Sequence, residues 1–188
     1  MTWTPALTAI AAVADNGVIG SGHGLLWRIP ADFRRFKQVT WGGVLLMGRA
    51  TFDSLGGPLP GRCSVVISRS LPPTDSLTTS PDTTVIVVAS VAEALACLGR
   101  FPDRAWWSIG GGQIYRALWD YTTDLDLTEV HQSPAGPVTF PDINPEQWRE
   151  LSRQPEDGFE FVTYTRRQAD ASERLAAAVD DKPLARPE

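Results

Sequence analysis

One carboxylate set among large apolar side chains is the first place where this chain could do chemistry. In Leu26-Trp27-Arg28-Ile29-Pro30-Ala31-Asp32-Phe33-Arg34-Arg35-Phe36 the proline can open a helix, because its missing N–H falls where no intrahelical partner exists. Helical spacing then puts Asp32 and Phe36 on one face, with Phe33 beside them. A carboxylate on such a face resists ionisation unless a cation or a hydrogen-bonding ligand meets it. The same acid would also suit the positive end of the helix dipole, so the residue alone does not choose between the two roles.

Two glycine turns are the next candidates. Gly110-Gly111-Gly112-Gln113-Ile114-Tyr115 lies between an apolar strand and a helix. Glycines there let a ligand approach the backbone, and the helix start offers free N–H groups and positive potential, which a pyrophosphate needs. The stretch is neither a G-x-G-x-x-G fingerprint nor a Walker A loop, and a plain strand-to-helix turn accounts for it equally well. Gly48-Arg49-Ala50-Thr51 repeats the arrangement with a fixed cation, and Arg69 stands just past the next strand. Open α/β sheets bind ligands at the C-terminal ends of their strands. Two anion-ready helix starts and two arginines there point to a dinucleotide carrying an additional phosphate.

The elements that must hold these groups can be read in order. Residues 6–14 form a nearly continuous apolar run, as in a strand buried on both faces of a parallel sheet. Residues 15–26 hold four glycines with Val18, Ile19, Leu25 and Leu26, the makings of an active-site lid. A helix over Pro30–Thr40, a strand over Val44–Met47, a short helix through Phe52 and Ser54 and a strand over Cys63–Ser68 follow. Residues 70–84, rich in Ser, Thr and Pro, have no periodicity and are expected to be loop. Then come a strand at Val85–Val88, a helix at Val91–Leu98, a strand at 105–109 and a helix from Gln113 to Trp119. Asp124–Val130 and Phe159–Arg166 are extended with no helix between them, so an antiparallel edge is expected there. The whole is an α/β three-layer fold: a mostly parallel mixed sheet of about eight strands with helices on both faces. Residues 1–167 make one catalytic domain. Residues 168–188 make a tail, with disorder favoured over one weak helix, since Leu175, Val179 and Leu184 are its only large apolar residues.

Composition narrows the function. At 188 residues, 43% hydrophobic and 21% charged, the chain suits one soluble domain. A formal charge of −5 with no basic block argues against a nucleic-acid or anionic-membrane binder. Cys63 and Cys97 fit no metal spacing, and His23 and His131 are too few for a histidine-rich metal site, so no metal is expected. Free buried thiols suit a reducing compartment, and the run 7–14 is too short for a membrane span and lacks a charged leader, so a cytoplasmic location is expected.

The ordered set of motifs is specific. Asn16-Gly17-Val18-Ile19-Gly20, Leu-Trp-Arg-Ile-Pro-Ala-Asp at 26–32, Met-Gly-Arg-Ala-Thr-Phe at 47–52, Leu-Pro-Gly-Arg at 59–62 and Ile-Gly-Gly-Gly-Gln-Ile-Tyr at 109–115 together closely resemble dihydrofolate reductase of the bacterial chromosomal type, over roughly residues 7–167. The resemblance implies NADPH-dependent reduction of 7,8-dihydrofolate to tetrahydrofolate for one-carbon metabolism, by a cytoplasmic monomer of the kind that antifolate inhibitors target. It implies a catalytic group of Asp32, Trp27, Thr128 and Tyr115, with Asp32 on the amino-pyrimidine edge, Thr128 bonded to it, Trp27 holding an ordered water and Tyr115 near the nicotinamide. Substrate would also meet Ile10, Ala11, Phe33, Phe36, Leu55, Leu59 and Ile109, with Arg62 pairing the glutamate α-carboxylate. Cofactor would meet Ala12, Ile19, Gly20, Gly48, Arg49, Ala50, Thr51, Ser68, Arg69, Gly111, Gly112, Gln113, Ile114 and Tyr115.

Two positions depart from the family pattern. Leu26 stands where a proline is usual, which frees the loop in φ, and Phe52 stands where tryptophan is frequent. Two other readings remain open on sequence: an NADPH-dependent pyrimidine reductase of riboflavin synthesis, and a non-catalytic dinucleotide- or pterin-binding module. The first would have no need of Asp32 in this helix or of Arg62.

Overall fold

The apolar run near the N-terminus becomes β1 (Leu7–Ala14), which lies inside a sheet and not at its edge. On one side it pairs with β8 (Asp124–Val130), on the other with β7 (Trp106–Ser108), both parallel. Beyond β7 the parallel set continues through β3 (Val44–Gly48), β4 (Cys63–Ile67) and β6 (Thr83–Val88). Strands of this kind are covered on both faces, which is why their sequences are apolar throughout and not alternating. The computed structural model describes residues 5–22, 26–80 and 82–180.

Both edges are antiparallel. On β8 lies β11 (Phe159–Arg166), and on β11 lies β10 (Trp148–Pro155). At the far edge β5 (Thr74–Ser80) pairs with β6, making nine strands in all where about eight were expected. This corrects the expectation of loop over residues 70–84. Thr-Asp-Ser-Leu-Thr-Thr-Ser has no apolar period because an edge strand is held by main-chain hydrogen bonds to one neighbour, which side-chain pattern does not report.

Helices α1 (Pro30–Val39) and α2 (Arg49–Ser54) serve one face, where Phe36 and Phe52 pack against Leu45, Met47, Val66 and Val85. The other face carries α3 (Val91–Leu98) and α4 (Gly112–Leu118), whose chain runs into a 3-10 turn at Trp119–Tyr121. Ser90 caps α3 by accepting from the Glu93 amide. Cys63 and Cys97 are buried free thiols in the α3 core. A short separate pair, β2 (Val18–Gly20) with β9 (Val138–Thr139), structures the glycine-rich connection after β1. Residues 23–25 of that connection, His23 among them, lie outside the described residues.

The segment past Arg167, for which disorder was favoured, builds α5 (Asp170–Asp180). Ala171, Leu175 and Val179 recur every fourth residue and are all buried, and α5 packs on α3. The helix looked weak in sequence because its apolar stripe is only three residues wide and one of them is alanine. Leu184 lies outside the described residues. Among the described residues, no helix is long and apolar enough to cross a membrane.

Candidate active site

Helix α1 begins at Pro30 without a side-chain cap and ends where the Thr40 hydroxyl donates to the Phe36 carbonyl at 2.6 Å. Its first turn lays Asp32 over β8, where the buried Thr128 hydroxyl donates to Asp32 Oδ1 at 2.5 Å. Thr128 is registered opposite Ala12 on β1 and Phe161 on β11, so it points from the middle of the sheet. Burial pushes the Asp32 pKa above the ordinary carboxylate range, and the nearby Asp126 charge adds to the rise. The Thr128 hydrogen bond and the Arg35 charge pull the other way without cancelling it.

Around that carboxylate the walls are apolar and partly open. Phe33 and Leu55 stay exposed, while Phe36, Leu59 and Ile109 are half-buried against the α1 face of the sheet. A cavity of about 470 Å³ is lined by Leu26, Trp27, Arg28 and Phe33. The indole Nε1 of Trp27 is buried and has no hydrogen-bond partner among the described residues. A buried donor in that condition is costly unless solvent or ligand meets it.

Tyr115 approaches from α4. Its hydroxyl donates to the Ile10 carbonyl at 2.6 Å, and its ring meets Phe140 edge-on at 4.8 Å. Full burial, then the Asp32 charge, push its pKa far up, so the phenol stays neutral and keeps donating. Gly110 has φ +98°, and a Cβ there would come within 2.7 Å of the Tyr115 ring. Glycine is therefore required at 110 for backbone geometry and for space alike.

Arg62 is 3% exposed, yet no carboxylate pairs with it among the described residues. Its Nε donates to the Pro60 carbonyl at 3.0 Å and its Nη1 to Thr40 Oγ1 at 3.2 Å. Its guanidinium lies 5.7 Å from the ring of Trp41, an exposed tryptophan that a Cβ at Gly61 would strike at 2.7 Å. Burial lowers the Arg62 pKa, but an arginine has range to spare and stays charged. A buried, oriented, unneutralised cation is a site waiting for an anion.

The two glycine turns meet. The Gly48 amide donates to the Gly110 carbonyl at 2.9 Å, and the Gly110–Gly111 peptide is cis. Gly48 and Gly111 are the N-caps of α2 and α4, extended and with no side chain over the first amides. A Cβ on Gly111 would stand 3.6 Å from Thr51 Oγ1, between the two helix starts. Gly112 is buried, and a Cβ there would press on the Thr139 carbonyl at 3.0 Å. Ile114 packs on Gly48, while Ala50 and Gln113 are exposed. Arg49 is steered by Asp53 (3.3 Å) and Ser70 (2.7 Å). The Ser68 hydroxyl accepts from the amides of Ser70 and Leu71, and Arg69 is exposed beside it. On β1, Ala11 and Ala12 are half-buried, while Ile19 and Gly20 sit on β2. Asp32, Thr128 and Tyr115 thus converge around the middle of β1, and Gly48, Thr51 and Gly111 gather at the ends of neighbouring strands. Arg62 sits apart, at the turn after α2.

Three residues at the site escaped sequence reasoning. Thr40 and Trp41 hold Arg62, and their position directly after a helix carrying the carboxylate is the only signal that could have marked them. Asp126 pairs with Arg35 of α1 across 91 positions of chain, and an acid between Leu125 and Leu127 was the clue.

Comparisons with known proteins point to one family. The family model described as dihydrofolate reductase matches residues 6–167. A dihydrofolate reductase of Haloferax volcanii, HdrB, is 36% identical over 177 residues, covering 92% of this chain and 89% of its own. The Neisseria gonorrhoeae dihydrofolate reductase is 41% identical over 148 residues, 78% of this chain and 86% of its own. Among solved structures, Enterococcus faecalis dihydrofolate reductase complexed with NADP(H) and RAB-propyl superposes with a TM-score of 0.71. It shares 30% identity over 87% of this chain and 97% of that one.

Proposed function

The chain belongs to the dihydrofolate reductase family, and on that premise we propose a role for each residue of its cleft. The activity is the NADPH-dependent reduction of 7,8-dihydrofolate to 5,6,7,8-tetrahydrofolate. The observation that carries the site assignment is the half-buried Asp32 carboxylate, bonded by Thr128 through one oxygen and next in the chain to Phe33, which lines the cavity.

That carboxylate takes the amino-pyrimidine edge of the pterin through two hydrogen bonds. Its charge also favours protonation of the ring nitrogen next to the carbon that accepts hydride. Thr128 fixes the orientation of the carboxylate. The unpartnered Trp27 Nε1 is suited to an ordered water at the mouth of the site. Phe33, Phe36, Leu55 and Leu59 sandwich the ring and benzoyl group and keep bulk water away. Tyr115 occupies one lone pair of the Ile10 carbonyl and leaves the other for the pterin edge, with the Ile109 carbonyl beside it and Ala11 lining the floor. Arg62 supplies the fork for the substrate's α-carboxylate.

The cofactor fits the paired glycine turns, where a Cβ at Gly111 would fill the space a pyrophosphate must enter. Gly48, Ala50, Thr51, Gly112, Gln113 and Ile114 would contact it through backbone and hydroxyl. Ser68, Arg49 and Arg69 would take the additional phosphate, and Ala12, Ile19 and Gly20 would border the nicotinamide. NADPH supplies the hydride when bound, while the chain's own groups align and polarise. Antifolates would occupy the pterin end of the same cleft. Residues 1–167 carry these contacts, with α5 as a brace on α3. A monomer in the cytoplasm is the state we propose, since one chain supplies every group and its two thiols are free and buried.

The test is direct. Enzyme, NADPH and dihydrofolate together should give a steady fall in NADPH absorbance, and none at micromolar enzyme would overturn the reading. Arg62→Leu should raise KM for dihydrofolate by roughly 30-fold or more, the loss of a charged pair worth about 2–5 kcal/mol, with KM for NADPH unchanged. Neutralising Arg49 and Arg69 together should cut the kcat/KM preference for NADPH over NADH by about tenfold, checked by measuring both cofactors.

A further inference from the structure

Helix α1 is tied to β8 by two rungs, and the mechanism above uses only one of them. The first is Thr128 to Asp32 at 2.5 Å; the second is Arg35 to Asp126, one residue type of each charge. Asp126 and Thr128 are two apart on a strand and therefore share a face, and Arg35 follows Asp32 by three on a helix, which brings it to the same side. We propose that the Arg35–Asp126 ion pair is a positioning device for Asp32 that sets how tightly the site holds its proton. The proposal rests on the reading of Asp32 as the carboxylate that meets the pterin.

Stability is a poor explanation for the pair. Asp126 is 8% exposed, and its registered neighbours, Ile10 on β1 and Thr163 on β11, offer it no charge. The Arg35 guanidinium is covered on its other side by the Phe161 ring, 4.9 Å away. Two apolar side chains of the same volume would hold a helix on a sheet at least as well, because the charges must first be desolvated. What an apolar pair could not do is place a fixed cation and a fixed anion beside a third charge. Among the described residues, the titratable or charged groups that act on Asp32 come from three elements: Arg35 on α1, Asp126 with the Thr128 hydroxyl on β8, and neutral Tyr115 on α4. From β11 the packed side chains are Phe161 and Thr163, which carry no charge.

With both members present, their fields at Asp32 oppose each other. Removing one leaves the other unbalanced. Without Arg35 the remaining Asp126 anion favours the protonated site, and without Asp126 the remaining cation disfavours it. The sign is the same whether the proton sits on the carboxylate or on the pterin nitrogen, because both lie in the same local field.

The experiment follows the rate of hydride transfer against pH in single turnovers, with saturating NADPH and dihydrofolate. Arg35→Met should move the midpoint up and Asp126→Asn should move it down, each by about half a pH unit, while the double variant returns near the parent. Arg35→Lys, which keeps the charge, should keep the parent midpoint, so the comparison of Arg35→Met with Arg35→Lys stands even if Asp126→Asn does not fold. Midpoints that do not move, or that move the same way in both single variants, would overturn the proposal whatever happens to the rate. Asp32→Asn separates the two layers. If it retains full turnover, the reading of Asp32 fails and takes this inference with it; if it loses turnover while the midpoints stay fixed, the ion-pair inference alone fails.

Discussion

On one face of β8, Asp126 and Thr128 meet Arg35 and Asp32 of α1; on the other, Glu129 meets Arg153 and Tyr164 of the antiparallel edge. The second cluster is rich in partners. Arg153 bonds Glu129 and Glu150, each at 2.8 Å, and Glu160 as well, and the Tyr164 hydroxyl donates to Glu129 at 2.5 Å. Hydrogen bonds to Glu150 and Glu129 hold the Arg153 proton more firmly than usual, and the bond from Arg153 pulls the Glu150 pKa below the ordinary range. Each carboxylate there bonds the one guanidinium and keeps some contact with solvent. Asp32 is the opposite case, since burial outweighs its one hydroxyl bond and its one nearby cation, and its pKa goes up. The two faces of one strand thus border a network of bonded charges and a helix carboxylate left incompletely satisfied. The incomplete one sits beside Phe33, which lines the cavity. Ligand must supply what the chain withholds, and the resulting difference in binding is where catalysis can arise.

The sharpest way to break this contrast is Asp32→Asn. Turnover at neutral pH should fall by about 100-fold or more, with NADPH binding retained, as seen in steady-state rates beside a cofactor titration. The same variant should be more stable than the parent at neutral pH. A carboxyl whose pKa is raised by folding favours the folded state fully below its unfolded pKa, and loses that advantage as pH rises through the folded value. At neutral pH Asp32 is therefore a liability that asparagine removes. A rise in Tm of about 2–4 °C, equivalent to about 1 kcal/mol in a chain of this size, is expected at pH 7 and should shrink towards zero in acid. A lower Tm at pH 7 would mean that Asp32 is a satisfied structural acid like those on the far face.

The smallest effect belongs to Arg153→Met. Losing an exposed network should cost at most about 1 kcal/mol, less at high salt, with kcat and its pH profile unchanged. A shifted pH profile would mean that the two faces communicate through β8 and that the division drawn here is wrong.

Much of this architecture could be read from local pattern. Continuous apolar runs mark the strands that the sheet buries on both faces, and α3, β8 and β11 fall where composition and periodicity place them. The reactive pieces were visible too, because their chemistry is local: a carboxylate after a helix-opening proline, and glycines where strand turns into helix. Edge strands were not. β5 and β10 are polar along most of their length and owe their conformation to one neighbour's backbone, so their residues carry no period to detect.

What the sequence by itself determined, then, is the set of buried strands, the helix that carries Asp32 and the two glycine turns at strand ends, since each follows from burial or backbone freedom within a few residues. Tertiary structure alone decided the rest. It paired Arg35 with Asp126, stood Trp41 over Arg62 and gave the narrow stripe of α5 a surface on α3 to cover. The state of Asp32 also belongs there, because a pKa depends on which water is excluded and which groups are brought near, and its hydroxyl partner comes from 96 positions away in the chain.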